Sequence, residues 1–93
     1  MPDILIRTTP EKLAHKMWKH EEYYWTLSGE PRRMTGKDED VAKVMFTDGT
    51  NVFAEYTYMG WDSYEKAIVF DHYRKVNYPQ PKKAPTRGFI YVE

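Results

Sequence analysis

Three tryptophans, a pair of adjacent arginines and a late run of lysines and arginines are the residues best suited to chemistry. That chemistry is recognition rather than bond breaking. Arg32-Arg33 follow Pro31, with Trp25 shortly before them. A guanidinium pair beside an indole suits phosphate contact combined with base stacking. The competing use of the two arginines is pairing with local acids such as Glu30 or Asp38. Trp18, Trp25 and Trp61 could wall a pocket for a flat ligand. Trp18 falls at helical spacing, where an aromatic serves the core. Trp25, near the helix end, and Trp61, after Gly60, are less easily absorbed by packing.

The charge is polarised along the chain. From His72 to Gly88 there are five basic residues (Arg74, Lys75, Lys82, Lys83, Arg87) and no acid, whereas Glu30 to Glu65 holds eight acids against four bases. Interleaved with Tyr73 and Tyr78, the basic stripe fits a surface that tracks the backbone of a single strand. Its plainer use is as a solvated loop. The expected nucleic-acid contacts are therefore Trp25, Arg32, Arg33, Trp61, Arg74, Lys82, Lys83 and Arg87.

Hydrolytic and metal chemistry find less to build on. His20-Glu21 would begin a His-Glu-x-x-His zinc site, but Tyr24 stands where the second histidine is needed. His15 and His20 do not share a helix face. With no cysteine, a thiolate nucleophile, a disulfide and a Cys-based zinc site are excluded. Ser28 and Ser63 lack a Gly-x-Ser-x-Gly setting, and the five glycines are scattered rather than gathered in a phosphate loop. Lys43 and Glu55 are candidates for a lysine–carboxylate pair, although a plain cross-strand salt bridge explains them equally simply. No cofactor and no metal is expected.

The elements that must position these residues follow from punctuation and period. Ile4-Leu5-Ile6 is a short apolar strand. Thr9-Pro10 starts a helix, with a hydroxyl N-cap and a proline where its missing N–H costs nothing. Leu13, Ala14, Met17, Trp18, Glu21, Tyr24 and Trp25 at three- and four-residue spacings predict about three to four turns, ending by Ser28-Gly29. Residues 29–40 read as a polar loop. Val41 to Phe46 and Asn51 to Tyr58 flank Asp48-Gly49, a hairpin signal. A three-residue loop sets Phe46 opposite Thr50, Val44 opposite Val52 and Ala42 opposite Ala54. Ala42, Val44, Phe46, Val52, Ala54, Tyr56 and Tyr58 then share a core face. Lys43, Asn51, Glu55 and Thr57, with Met45 and Phe53, form a partly wet one.

Gly60 to Ser63 breaks the pattern, Ala67 to Tyr73 is a further strand, and Phe89 to Val92 is the last. Pro79, Pro81 and Pro85 mark the segment between as an extended crossing. The order predicts an α+β fold with five strands and one main helix, curled into a small barrel.

Composition sets the outer bounds. The chain has 93 residues, 41% of them hydrophobic and 30% charged, which fits one globular domain over 1–93. Fourteen basic and fourteen acidic residues cancel, so there is no general electrostatic attraction for nucleic acid. No apolar run approaches the roughly 18–20 residues of a membrane helix, and the N-terminus lacks the pattern of a secretion signal. A cytoplasmic, non-membrane protein is expected.

At the level of residue order, the stretches EPRRM (30–34), DEDVAKVMF (38–46), NVFAEYTYMGWD (51–62), AIVFDHYRKVNYPQP (67–81) and RGFIYV (87–92) make the chain resemble the PUA-like superfamily, in particular its ASCH and EVE branches. The resemblance covers most of residues 3–92. It implies a small β-barrel with a cleft between barrel and helix that holds RNA or a modified or flipped-out base, with Arg87 beside the cleft. Two departures stand out. The Gly-Asp turn is expanded to Gly36-Lys37-Asp38-Glu39-Asp40, and the Gly-x-Lys-x-x-Glu-x-Arg signature is missing, as is the Lys/Thr/Glu set of the amidohydrolase members. The resemblance therefore implies binding without catalysis. The alternatives are an amidohydrolase acting on a nucleoside-like substrate and a protein-interaction module built on exposed aromatics.

Overall fold

A computed structural model describes residues 3–17, 23–27, 29, 31 and 42–92, the main chain alone at 15–17 and 23. Six strands and one helix follow in the order β1 (Asp3–Arg7), α1 (Pro10–Met17), β2 (Tyr23–Thr26), β3 (Lys43–Thr47), β4 (Asn51–Asp62), β5 (Ala67–Pro79) and β6 (Ile90–Val92). They form one mixed sheet in the order β2-β5-β4-β3-β1-β6, with β1 and β3 parallel. The fold is mostly β, a curled half-barrel with little helix.

The curl can be read from the rings. Trp25 on β2 and Phe46 on β3 are separated in the sheet by β5 and β4. Across a flat sheet that is about 14 Å, at roughly 4.8 Å per strand. Their ring centroids nevertheless lie 5.1 Å apart. Phe46 also meets Phe70 of β5 across β4, at 5.5 Å. Three register shifts between β4 and β5 supply the bend, because each extra residue in one strand kinks the pair and increases its twist.

The concave face holds Ile4, Ile6, Leu13, Val44, Phe46, Ala54, Tyr56, Ile68 and Phe70. Trp25 from one edge strand and Tyr91 from the other pack against that same cluster. The other face is not simply wet, as the alternation predicts. Leu5, Met45, Val52 and Ala84 form a second cluster there, flanked by Val76, Tyr78 and Ile90. Strands β1 and β3 are apolar at successive positions because they are covered on both faces.

Several sequence expectations are corrected. The helix does start at the predicted cap: Thr9 Oγ1 accepts from the Lys12 N–H at 3.2 Å. However, it closes at Met17 after eight residues. Tyr24 and Trp25 lie in strand β2, paired with Val69 and Ile68. The run Tyr-Tyr-Trp-Thr is strong strand-forming material, and aromatic spacing alone does not reveal that a sheet edge is waiting for it.

The hairpin register is displaced by four residues, with Val44 opposite Tyr56 and Phe46 opposite Ala54. An Asx-type turn from Asp48 to Asn51 and a bulge beyond Phe46 take up the difference. There are six strands rather than five, β4 runs through Gly60 and Trp61 to Asp62, and β5 extends to Pro79. Pro79 is tolerated because it ends its strand. Among the described residues, no helix is long and apolar enough to cross a membrane.

Candidate nucleic-acid interface

Between α1 and the sheet lies an open cleft of about 240 Å³, lined by Leu13 and Ala14 from the helix and by Phe53, Ala54, Tyr56 and Tyr73 from β4 and β5. Each element places its part for a local reason. Thr9 and Pro10 fix where the helix begins, and Leu13, one turn on, is buried in the concave cluster. That anchor leaves Ala14 exposed beside it. Register shifts on either side of the Ala54–Glu55 stretch allow Phe53, Ala54 and Tyr56 to contribute to one surface. Tyr73 follows His72, whose positive φ of 60° marks the irregularity in β5.

The resulting walls are aromatic and open. Tyr73 is 54% exposed, and its ring lies 5.4 Å from that of Tyr56 at an interplanar angle of 42°. Tyr56 in turn meets Phe70 edge-on at 4.7 Å, so a buried ring stack supports the exposed one. Exposed Lys75 is the register partner of Ala54 and shares its side of the sheet. The cleft lining carries no charged group. A flat, partly polar ring is the kind of ligand such walls accept.

The tryptophans occupy a neighbouring part of the same face. Trp25 and Trp61 flank Ile68 in one cross-strand row and pack, partly buried, against the concave cluster. The structure thus brings the two indoles together, with Trp25 engaged by Phe46.

Arg74 belongs to the other face. Its Nε lies 3.4 Å from Glu55 Oε1, and its Nη1 donates to Thr57 Oγ1 and to the His72 carbonyl, each at 3.2 Å. Glu55 is only 7% exposed, yet it also accepts from the Tyr78 hydroxyl and lies 4.0 Å from Lys43 Nζ. Burial, reinforced by the hydrogen bond to Glu55, pushes the Tyr78 phenol above its ordinary range. The Lys43–Glu55 pair anticipated from the hairpin is therefore part of a four-residue knot tying β3, β4 and β5 together. Its register is direct through Met45 and Thr57 rather than the one expected.

Lys82, Lys83 and Arg87 are gathered in the crossing segment between β5 and β6, where all three are exposed. Lys82 Nζ donates to the Tyr91 carbonyl at 3.2 Å, fastening the segment to β6. Arg32 and Arg33 lie outside the described residues, as do Trp18, His20, Lys37 and the acids Asp38, Glu39 and Asp40. Among the described residues, no three of His, Cys, Asp or Glu gather as a metal site would require.

Sequence reasoning missed Phe53 and Tyr56 as cleft walls, because alternation places them on opposite faces and only the bulges reunite them. Tyr73 carried a signal, as an aromatic inside the basic stripe.

Comparison with family models, with curated proteins and with solved structures finds no match to this chain.

Proposed function

We propose that this chain is a non-catalytic, PUA-like binding module for RNA or another single-stranded nucleic acid, with one base lodged in the cleft between α1 and the sheet. The observation that carries the reading is the open aromatic wall of Phe53, Tyr56 and Tyr73, at the junction of helix and half-barrel. A base stacked on Tyr73 would gain about 1–3 kcal/mol without sequence preference. Trp25 and Trp61 extend the same concave face. Lys75 beside the cleft, and Lys82, Lys83 and Arg87 in the crossing segment, supply phosphate contacts that strengthen as salt is lowered. Arg32 and Arg33 would add to them from the loop before β3. Arg74 acts through the fold, since its guanidinium is committed to Glu55 and Thr57. The oxygens of Glu55 already hold three donors, so the knot reads as structural rather than as a hydrolytic pair.

Fluorescence anisotropy with short single-stranded RNA tests this. Binding is expected to weaken steadily with added salt. Tyr73→Ala should weaken it about 5- to 100-fold, the range implied by one lost stack. Tyr64→Ala, at a 91%-exposed hairpin tip, should leave it unchanged. Equal losses from both variants, or binding indifferent to salt, would overturn the proposal.

A further inference from the structure

A second cleft opens where β1 ends, the crossing segment passes and β6 begins. Its volume is about 500 Å³, and Arg7, Lys83, Thr86 and Phe89 are among its lining residues. Arg7, Lys83 and Thr86 are exposed, and Phe89 is partly buried against the concave cluster, held edge-on by Tyr91 at 5.1 Å.

The Arg7 guanidinium is placed by a turn rather than by an acid. It rests on Gly49, where an added Cβ would lie 3.0 Å from Arg7 Cζ and Nε. Gly49 itself has a φ of 103°, a conformation natural to glycine. Gln80 clamps this turn from the crossing segment, its Nε2 donating to the Gly49 carbonyl at 2.9 Å and its N–H to the Thr50 carbonyl at 3.0 Å. That clamp starts the segment that carries Lys83 and Thr86 into the cleft. Nearby Asp48 is occupied, accepting from the Thr50 and Asn51 N–H groups at 2.9 Å each. Among the described residues, neither Arg7 nor Lys83 forms an ion pair or side-chain hydrogen bond.

Two unpaired cations, a free hydroxyl and an aromatic wall in one cavity make a site for an anion attached to a flat ring. We infer that this cleft is a nucleotide-phosphate subsite. Arg7 and Lys83 hold the phosphate oxygens, Thr86 donates to them, and Phe89 bears the base or sugar edge. Arg supplies planar, paired donors and Lys a point charge, a combination suited to phosphate. The inference deepens the reading of the chain as a nucleic-acid-binding module by adding a second nucleotide position, yet its chemistry stands independently. A free mononucleotide and a unit of a longer strand present the same groups.

The test uses adenosine monophosphate, adenosine and a single-stranded oligoadenylate, followed by calorimetry and by amide chemical shifts on the full chain. Adenosine monophosphate should shift residues 7, 83, 86 and 89 and bind at least about tenfold more tightly than adenosine, as charge-assisted contacts imply. Arg7→Gln and Lys83→Gln, both at exposed positions, should each lose most of that preference while keeping the wild-type melting curve. Loss in both the mononucleotide and oligonucleotide titrations assigns the subsite to a strand. Loss with the mononucleotide, in a protein that binds no RNA, assigns it to a free nucleotide and overturns only the nucleic-acid reading. RNA binding untouched by either substitution, with no mononucleotide binding, overturns the subsite and leaves that reading standing.

Discussion

Glu55 and Tyr78 show how a charged group is kept inside a small sheet. The carboxylate is buried between three donors from three strands, and the phenol that serves it is held protonated by burial and by the bond itself. A phenol whose folded pKa is raised binds its proton more tightly in the folded than in the unfolded state. The stability this gives is fully present below about pH 10, the ordinary tyrosine value, and is lost as pH rises beyond it. Tyr78→Phe should lower stability at neutral pH by about 1–3 kcal/mol, the cost of removing one partner of a buried polar group. It should also flatten the alkaline limb of the stability curve, as urea melts between neutral and alkaline pH would show. Asp48 works in the opposite sense. The Asn51 and Thr50 N–H groups hold its carboxyl below the usual range, so its contribution is present above the ordinary Asp value and fades in stronger acid.

The elements divide by how local their instructions are. The helix start was legible because a cap is chemistry among four neighbouring residues, and Thr9→Ala should cost about 1 kcal/mol in a thermal melt. Its end was not legible, since the switch from Met17 to the strand at Tyr23 depends on a partner, β5, more than forty positions away. Eight residues of helix are too few to stand alone, and α1 is held by Leu13 in the concave cluster. Leu13→Ala should therefore destabilise the fold by about 2–5 kcal/mol and loosen the aromatic cleft as well.

In the hairpin the facing of Val44, Phe46, Ala54 and Tyr56 was legible although the register was not, because a displacement of four residues preserves the alternation. Val52 changed sides at the bulge and joined Leu5 and Met45. Gly49→Ala should destabilise the turn by more than about 1 kcal/mol, combining an unfavourable φ with a Cβ driven into Arg7. A normal melting curve for that variant would contradict the account of the turn.

At the scale of the whole molecule, curvature is the property that matters and the one least visible in the sequence. Bulges along β4 and β5 close the sheet far enough for an indole on one edge strand and a tyrosine on the other to share a core. The same bending presents Phe53, Tyr56 and Tyr73 to the helix and leaves Arg74 on the far side with Glu55. The basic stripe was legible as composition; its division into a structural arginine and an exposed crossing segment was not, because that depends on which residues meet Glu55. Arg7 was invisible as a site residue, since only the fold brings the end of β1 beside Gly49 and Lys83.

The base-lodging claim is tested most directly by titrating the chain with a short single-stranded RNA while following its methyl and aromatic resonances. Stacking on the cleft walls predicts ring-current shifts at the Leu13, Ala14 and Ala54 methyls and at the rings of Tyr56 and Tyr73, growing with occupancy and receding as salt is added. Shifts confined to the Tyr64 hairpin tip, or a spectrum unmoved by RNA, would contradict it.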